Sequence, residues 1–493
     1  MFVKKFKRYV LFAGLSGLGV LIYKVLKQGE KSSSSPGAGF RVQRGASSAG
    51  LAVRTASRSA VYGAKKLVSN KEDTLKLDEE FALKTTEDVV KTLGGMKGAM
   101  MKLGQLASFV DDGLPDSVKE MLTELQADAP PMSQDLALKV IEDELGEKVK
   151  NVFKDIDLTP IAAASIGQVH RAITKDGEEV VVKVQYPQIG ETILADLANI
   201  DLAGLITPFV WKGLDLKSLT EELRTRLMEE VDYENEAINQ QLFYSFYEGH
   251  PFIKVPKVYP ELSTKRLLVT EYVEGVKFKA LSELDQHQKD LAAESIYRFA
   301  FRSLYRLKSF NGDPHPGNYL FNKDGRVCFL DFGLVKHFDE NDLSLLFDII
   351  KYSVIDPDLK LQRKAVEKAG FLVPDAPVDD EDVAQFMEVF MALVSKDEPL
   401  TLTTEYTSEV SRRVIFGRAS HASVVTYANI PATFALLQRI NLGLLAILGT
   451  LNATANWRSI SEEMWTQTDS EPRSELGLLE REWWRQARKR LES

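Results

Sequence analysis

One cysteine, Cys328, stands among 493 residues. No disulfide can close within the chain, which suits a reducing compartment and excludes the stapled scaffolds of small secreted proteins. The six histidines are scattered without paired ligand spacing, so no structural zinc site is expected. Long apolar runs are also missing. The uncharged run 9–23 has 15 residues and the late run 442–451 has ten, both short of the roughly 20 that cross a bilayer as a straight helix. Acidic residues are nearly absent from one end. Residues 1–71 hold 14 Lys/Arg against Glu30 alone, a net +13, while the rest holds 48 Lys/Arg against 70 Asp/Glu, a net -22, which together give the overall -9. An acidic body repels phosphate backbones, which excludes nucleic acid as a partner. A basic end beside an apolar run points to an anionic membrane surface.

That amino-terminal segment reads first as a membrane anchor. Lys4, Lys5, Lys7 and Arg8 precede the apolar run, Lys24 and Lys27 follow it, and Tyr9 and Tyr23 suit the two interfaces of a short span. Residues 31–71 are rich in Ser and Arg, as in an organellar transit peptide. A cleaved secretory signal fits less well, because no A-x-A site follows; a docked amphipathic helix is the remaining reading. Gly14, Gly17 and Gly19 would permit close helix pairing, and so a homodimer. The Ser/Gly/Ala-rich stretch 32–50 is expected to be a linker.

Helical periodicity follows over 78–110, through Leu83, Val89, Leu93, Met96, Met100, Leu103 and Leu106. Its interior glycines Gly94, Gly95, Gly98 and Gly104 each cost about 1 kcal/mol against alanine and suggest close packing. Lys102-Leu103-Gly104-Gln105 within it, read alone, is a solvated patch. Pro115 opens another helix, and Ser133 a third that ends before Gly146.

The chemistry is concentrated further on. Asp331-Phe332-Gly333 follows the apolar strand 327–330, entered by a turn at Asp324-Gly325. Asn318 lies 13 residues upstream and Asp313 five before that. This is the order in which protein kinases place a catalytic Asp, a metal-binding Asn and the D-F-G Asp. Asn318 and Asp331 offer hard oxygen ligands to Mg²⁺ on nucleotide phosphates, and Asp313 can accept a proton from an attacking hydroxyl. The strand Val180-Val181-Val182-Lys183-Val184, entered by a turn at Asp176-Gly177, presents Lys183 to the α/β-phosphates. Lys183 needs an acid to hold it. The charged segment 216–247 supplies Glu229, Glu230, Asp232, Glu234 and Glu236, and spacing alone does not choose among them.

The phosphate-covering loop departs from the usual G-x-G-x-x-G. Ala162, Ala163, Ala164 and Ser165 stand there instead. Alanine still admits a close backbone but restricts positive φ, and Ser165 can donate to a phosphate. Leu267-Leu268-Val269-Thr270-Glu271-Tyr272-Val273 reads as a strand running into the hinge on which adenine sits, with Glu271 and Val273 at the nucleotide.

Together these residues resemble the UbiB/ADCK/AarF, or ABC1-type, family of atypical kinases. Lys102 to Gln105 looks like its K-x-G-Q motif, 162–165 its alanine-rich loop, and Glu230-Val231-Asp232-Tyr233 with Glu236 its E-x-D motif. Asp313-Pro314-His315-Pro316-Gly317-Asn318 and Asp331-Phe332-Gly333 look like its catalytic and metal motifs. The resemblance implies an α+β, two-lobed protein kinase-like fold with an amino-terminal helical extension over the active site and a mostly helical carboxy-terminal region. It implies Glu230 as the partner of Lys183, and brings Lys102 and Gln105 to the site with Lys102 near Asp232. It further implies Mg²⁺ with ATP or ADP, a role in isoprenoid quinone (ubiquinone) biosynthesis or membrane lipid homeostasis, and quinone-biosynthesis proteins, a quinone precursor or a membrane lipid as partners.

The expected organisation is an anchor or targeting segment (1–30), a basic linker (31–74), a helical extension (75–155), an N-lobe (156–275), a C-lobe (276–400) and a helical extension (401–493). The last carries no catalytic motif: Trp457, Trp465, Trp483 and Trp484 are expected to pack, and the basic run 485–490 to be a solvated tail. The expected activity is Mg²⁺-dependent ATP hydrolysis or phosphoryl transfer. The alternatives are a nucleotide-binding pseudokinase scaffold and, more remotely, an aminoglycoside-type phosphotransferase, which would leave the K-x-G-Q and E-x-D motifs unexplained. The body is expected on the cytoplasmic face of a bacterial membrane, or in a mitochondrion or plastid.

Overall fold

The computed structural model describes residues 132–187, 231–416 and 424–492, apart from 165, 323–325, 425, 430, 466 and 469, together with positions 189 and 228. The expected anchor, the linker, Lys102, Gln105, Ser165, Glu229, Glu230 and the Asp324-Gly325 turn lie outside the described residues. The chain divides into two units. Met1–Pro131 with Tyr186–Met228 lies almost wholly outside the described residues; Met132–Gln185 with Glu229–Ser493 carries the fold that follows.

Helix α1 (Gln134–Leu145) starts where the sequence places it. Ser133 accepts the Leu136 amide through its side chain, and Gly146 ends the helix at φ 67°, a left-handed conformation that glycine adopts without strain. A single turn at Val149–Val152 leads into an antiparallel sheet of β1 (Phe153–Ile156), β2 (Ala162–Ala164), β3 (Gly167–Thr174), β4 (Glu179–Gln185) and a later strand. Gly177, at φ 86°, makes the β3–β4 turn. Alternation sends Val180, Val182 and Val184 into the core and Lys183 to the other face. Gly167 is required by contact: a Cβ there would lie 2.1 Å from the Val184 carbonyl oxygen.

Helix α2 (Tyr233–Phe246) is capped by Asp232, whose side chain accepts the Asn235 amide at 3.1 Å, with Glu234 and Glu236 suiting the positive end of the helix dipole. After β5 (Ile253–Lys254), β6 (Leu267–Glu271) joins the first sheet beside β4. Glu144 of α1 ties back to this edge through the Arg266 guanidinium at 2.7 Å. Next come β7 (Val276–Lys277) and α3 (Gln286–Arg302), opened by a reciprocal box between Asp285 and Gln288.

The segments that follow position the site. β8 (Ser309–Asn311) and β9 (Tyr319–Phe321) flank the loop 312–318, while β10 (Val327–Phe329) and β11 (Val335–His337) flank the loop 330–334. β8 pairs with β11 and β9 with β10, so the two loops are pinned side by side at both ends. Cross-links confirm this: the Gly312 amide donates to the Leu334 carbonyl at 2.7 Å, and the Leu330 amide to the Asn318 carbonyl at 3.0 Å.

The remainder is mostly helical: α4 (Glu340–Ile350), α5 (Leu359–Lys368), α6 (Asp380–Glu388), α7 (Thr404–Phe416), α8 (Ala432–Thr450), α9 (Trp457–Met464) and α10 (Glu475–Glu492), with β12 (Leu400–Leu402), before α7, paired antiparallel to β13 (Ala453–Ala455), after α8. Trp457, Trp465 and Trp483 are buried, in line with packing roles. Residues 485–490 lie within α10 rather than in a loose tail; Arg485 and Lys489 are exposed, as expected of a solvated run, while Ala487, with Trp483, is in the core. Among the described residues no helix is long and apolar enough to cross a membrane.

Candidate active site

Lys183 is the centre of the site. Its ammonium lies 2.8 and 3.0 Å from the two carboxylate oxygens of Glu236 and 3.6 Å from Asp331 Oδ2. It also stands 4.9 Å from the ring centre of Tyr233. Burial would depress the ammonium, but Glu236 and Asp331 outweigh it and hold Lys183 well above the usual lysine value. The sequence reading paired Lys183 with Glu230. Glu230 lies outside the described residues, and the acid that the structure puts on Lys183 is Glu236, one turn into α2 and 1% exposed. Spacing left five acids open and Glu230 came from the resemblance alone; the strand–helix register puts Glu236 on Lys183. Asp232, expected beside Lys102, caps α2.

The two pinned loops supply the other polar groups. The Asn318 side-chain amide donates to the Asp313 carbonyl at 3.1 Å and to its carboxylate at 3.3 Å. With the amide nitrogen so engaged, Oδ1 is the Asn318 side-chain atom that could ligate a cation. Asp331 Oδ1 accepts the Gly333 amide at 3.0 Å, and the other oxygen faces Lys183. Asn318 and Asp331 thus fit a hard cation: one neutral and one anionic oxygen donor. Among the described residues no cluster of three or more His, Cys, Asp or Glu could hold a metal unaided.

Three positioning residues escaped the sequence reading. Asn311 donates to the Asp331 carbonyl at 2.7 Å and accepts the Asp313 amide at 3.2 Å, joining both loops through one side chain. Asn239, one turn beyond Glu236 and 3% exposed, donates to the Phe332 carbonyl at 3.2 Å. Phe243, on the same helix, meets the Phe332 ring at 5.0 Å. Helix α2 therefore holds both Lys183 and the Asp-Phe-Gly segment. The only early signal was that Asn239 and Phe243 continue the face of Glu236 at helical spacing.

The alanine segment forms β2, with Ala162 opposite Val169 and Ala164 opposite Gly167. At the expected hinge, the Glu271 carboxylate is engaged away from any base, by Lys254 at 2.7 Å and the Lys257 amide at 3.1 Å. The Glu271 amide is also engaged, by the Lys257 carbonyl at 2.8 Å, so what Glu271 can offer a nucleotide is its backbone carbonyl; Val273 is half-buried just beyond β6.

Comparison with known proteins bears on the family and the fold. The ABC1 atypical kinase-like domain matches residues 124–366. The chain is 39% identical over 293 residues to the chloroplastic protein ACTIVITY OF BC1 COMPLEX KINASE 8 of Arabidopsis thaliana, covering 56% of this chain and 37% of that protein. It is 34% identical over 262 residues to the mitochondrial atypical kinase COQ8 of Saccharomyces cerevisiae, covering 53% and 52%. The chain thus spans about half or less of the length of these curated relatives. The solved complex of Rv3197 with erythromycin from Mycobacterium tuberculosis matches with a TM-score of 0.57 at 30% identity, over 80% of this chain and 98% of that one.

Proposed function

Since the chain belongs to the ABC1 atypical kinase-like family, we propose that it binds Mg²⁺ with ATP or ADP and transfers or hydrolyses the terminal phosphoryl group. The observation that carries this reading is the convergence of Lys183–Glu236 and Asp331 with the Asp313–Asn318 pair. Lys183 holds the α/β-phosphates, kept charged by Glu236. Asn318 Oδ1 and Asp331 hold the magnesium, which neutralises charge on the phosphates when bound. Asp313 orients the attacking hydroxyl or water and accepts its proton. The alanine segment 162–165 meets the phosphates, and the backbone at Glu271 and Val273 receives the base.

The process served is isoprenoid quinone biosynthesis or membrane lipid homeostasis, with the amino-terminal segment bringing the body to a membrane and Lys102 and Gln105 regulating the site. This rests on the family and on the basic, apolar amino terminus. The setting is a bacterial cytoplasmic face or an organelle, and relatives named chloroplastic and mitochondrial favour the organelle. A nucleotide-binding scaffold is the second reading. It is favoured by the unusual alanine loop, which can bind nucleotide in a geometry unsuited to transfer.

The deciding experiment is phosphate release from Mg²⁺-ATP by the full chain, with and without anionic liposomes and a quinone-like phenol, beside Asp313→Asn. Turnover that falls about 100-fold or more in the variant supports the enzyme. Nucleotide binding without turnover in any condition moves the conclusion to the scaffold.

A further inference from the structure

Three arginines four residues apart, Arg298, Arg302 and Arg306, line one side of α3 and the turn that follows it, and all three are gripped by the last two helices. Arg298, fully buried, donates to Glu294 at 2.7 Å, to Glu463 at 2.8 Å, to Glu480 at 2.6 Å and to Ser474 at 2.9 Å. Arg302, 3% exposed, makes a two-pronged pair with Glu480 at 3.0 and 2.8 Å. Arg306 donates to the Trp465 carbonyl at 3.0 Å. The guanidinium groups of Arg302 and Arg306 lie 5.1 and 5.4 Å from the Trp484 ring centre. Planar, forked cations suit such sites better than lysine.

The grip falls on an unusual piece of backbone. Residues Ser303–Leu307 form a π-helical turn, in which the Lys308 amide reaches back to the Ser303 carbonyl. Lys308 then takes a left-handed φ of 54°, rare outside glycine. π-turns are uncommon and persist where surroundings hold them. The next three residues are β8, whose Asn311 carries the Asp313 amide and the Asp331 carbonyl. Relaxation of the turn to α geometry would shift hydrogen bonding by one residue and re-aim everything after it.

We propose that Arg302 and Arg306 are positioning residues for the phosphoryl-transfer site: by docking on Glu480, Trp465 and Trp484 they hold the π-turn, and through it Asn311 and Asp313. The inference rests on the proposed reaction for its kinetic consequence alone; the backbone consequence is independent of it. The test is amide hydrogen exchange and steady-state kinetics on the full chain carrying Arg306→Met, Arg306→Lys or Trp484→Ala.

Arg306→Met and Trp484→Ala should raise exchange over 308–313 about tenfold, with the β4 amides unchanged. They should lower kcat about tenfold with nucleotide KM within about twofold. Arg306→Lys, which keeps a cationic donor but loses the planar fork, should restore both in part. Unchanged exchange over 308–313 in folded variants, or a uniform rise over all described helices and strands, overturns the proposal. If even the unaltered chain releases no phosphate, the proposed reaction fails, while the exchange comparison still decides whether the clamp holds the loop.

Discussion

Glu236 and Glu463 show how burial gives two carboxylates opposite tasks. Glu236 is ion-paired with Lys183 through both oxygens. Removing one member of a buried pair strands the other, a loss of about 3 kcal/mol or more. Glu236→Gln should therefore lower the unfolding midpoint and reduce turnover by about 100-fold in a phosphate-release assay, since Lys183 would lose its orientation; near-normal turnover would contradict the pairing. Glu463 touches Arg298, yet burial outweighs that attraction and raises its carboxyl above the usual value. Glu480 is also opposed by burial, but Arg302 and Arg298 win and hold it well below.

The signs follow from linkage. Glu480 contributes stability above the ordinary carboxylate pKa of 4.5, and that contribution is lost as pH falls through its lowered folded value. Glu463 favours folding below 4.5, and its contribution is lost as pH rises through its raised value. Urea titration at pH 7 should show Glu480→Gln losing about 3 kcal/mol. Glu463→Gln should lose less than about 1 kcal/mol, because burial already works against its carboxylate and the amide removes that charge. Equal losses would contradict the assignment.

Among the elements, the strands and loops of the site were readable and their tertiary register was not. The run Val180-Val181-Val182-Lys183-Val184 announces a strand with lysine on its less buried face, and β4 carries it. Ser133 and Gly146 bracket α1 because capping is a local property. The choice of Glu236 is not local: it depends on where α2 lies against β4, which no spacing within 229–236 encodes. The arginine series was invisible for the same reason, since Glu463 and Glu480 lie more than 160 residues away in sequence. Gly167 belongs to the readable side only in hindsight, as a glycine just after the alanine segment. Its replacement by alanine would drive a methyl into the Val184 carbonyl. That should cost about 1–3 kcal/mol and loosen the pairing of β3 with β4. A thermal midpoint unchanged by Gly167→Ala would contradict the close approach.

For the molecule as a whole, one pairing scheme explains why residues far apart in sequence act together. β8 with β11 and β9 with β10 hold two loops edge to edge, α2 fixes Lys183 and the Asp-Phe-Gly segment at once, and the carboxy-terminal helices grip the helix that leads into the first loop. The central claim is that this assembly binds a magnesium–nucleotide complex. Calorimetric titration of ATP and ADP into the full chain, with and without Mg²⁺, beside Asp331→Asn, tests it most directly. Nucleotide affinity should rise at least about tenfold with Mg²⁺ in the unaltered chain, and that gain should vanish in Asp331→Asn, which lacks the carboxylate charge on the metal. An undiminished Mg²⁺-dependent affinity in Asp331→Asn would contradict the assignment of the site.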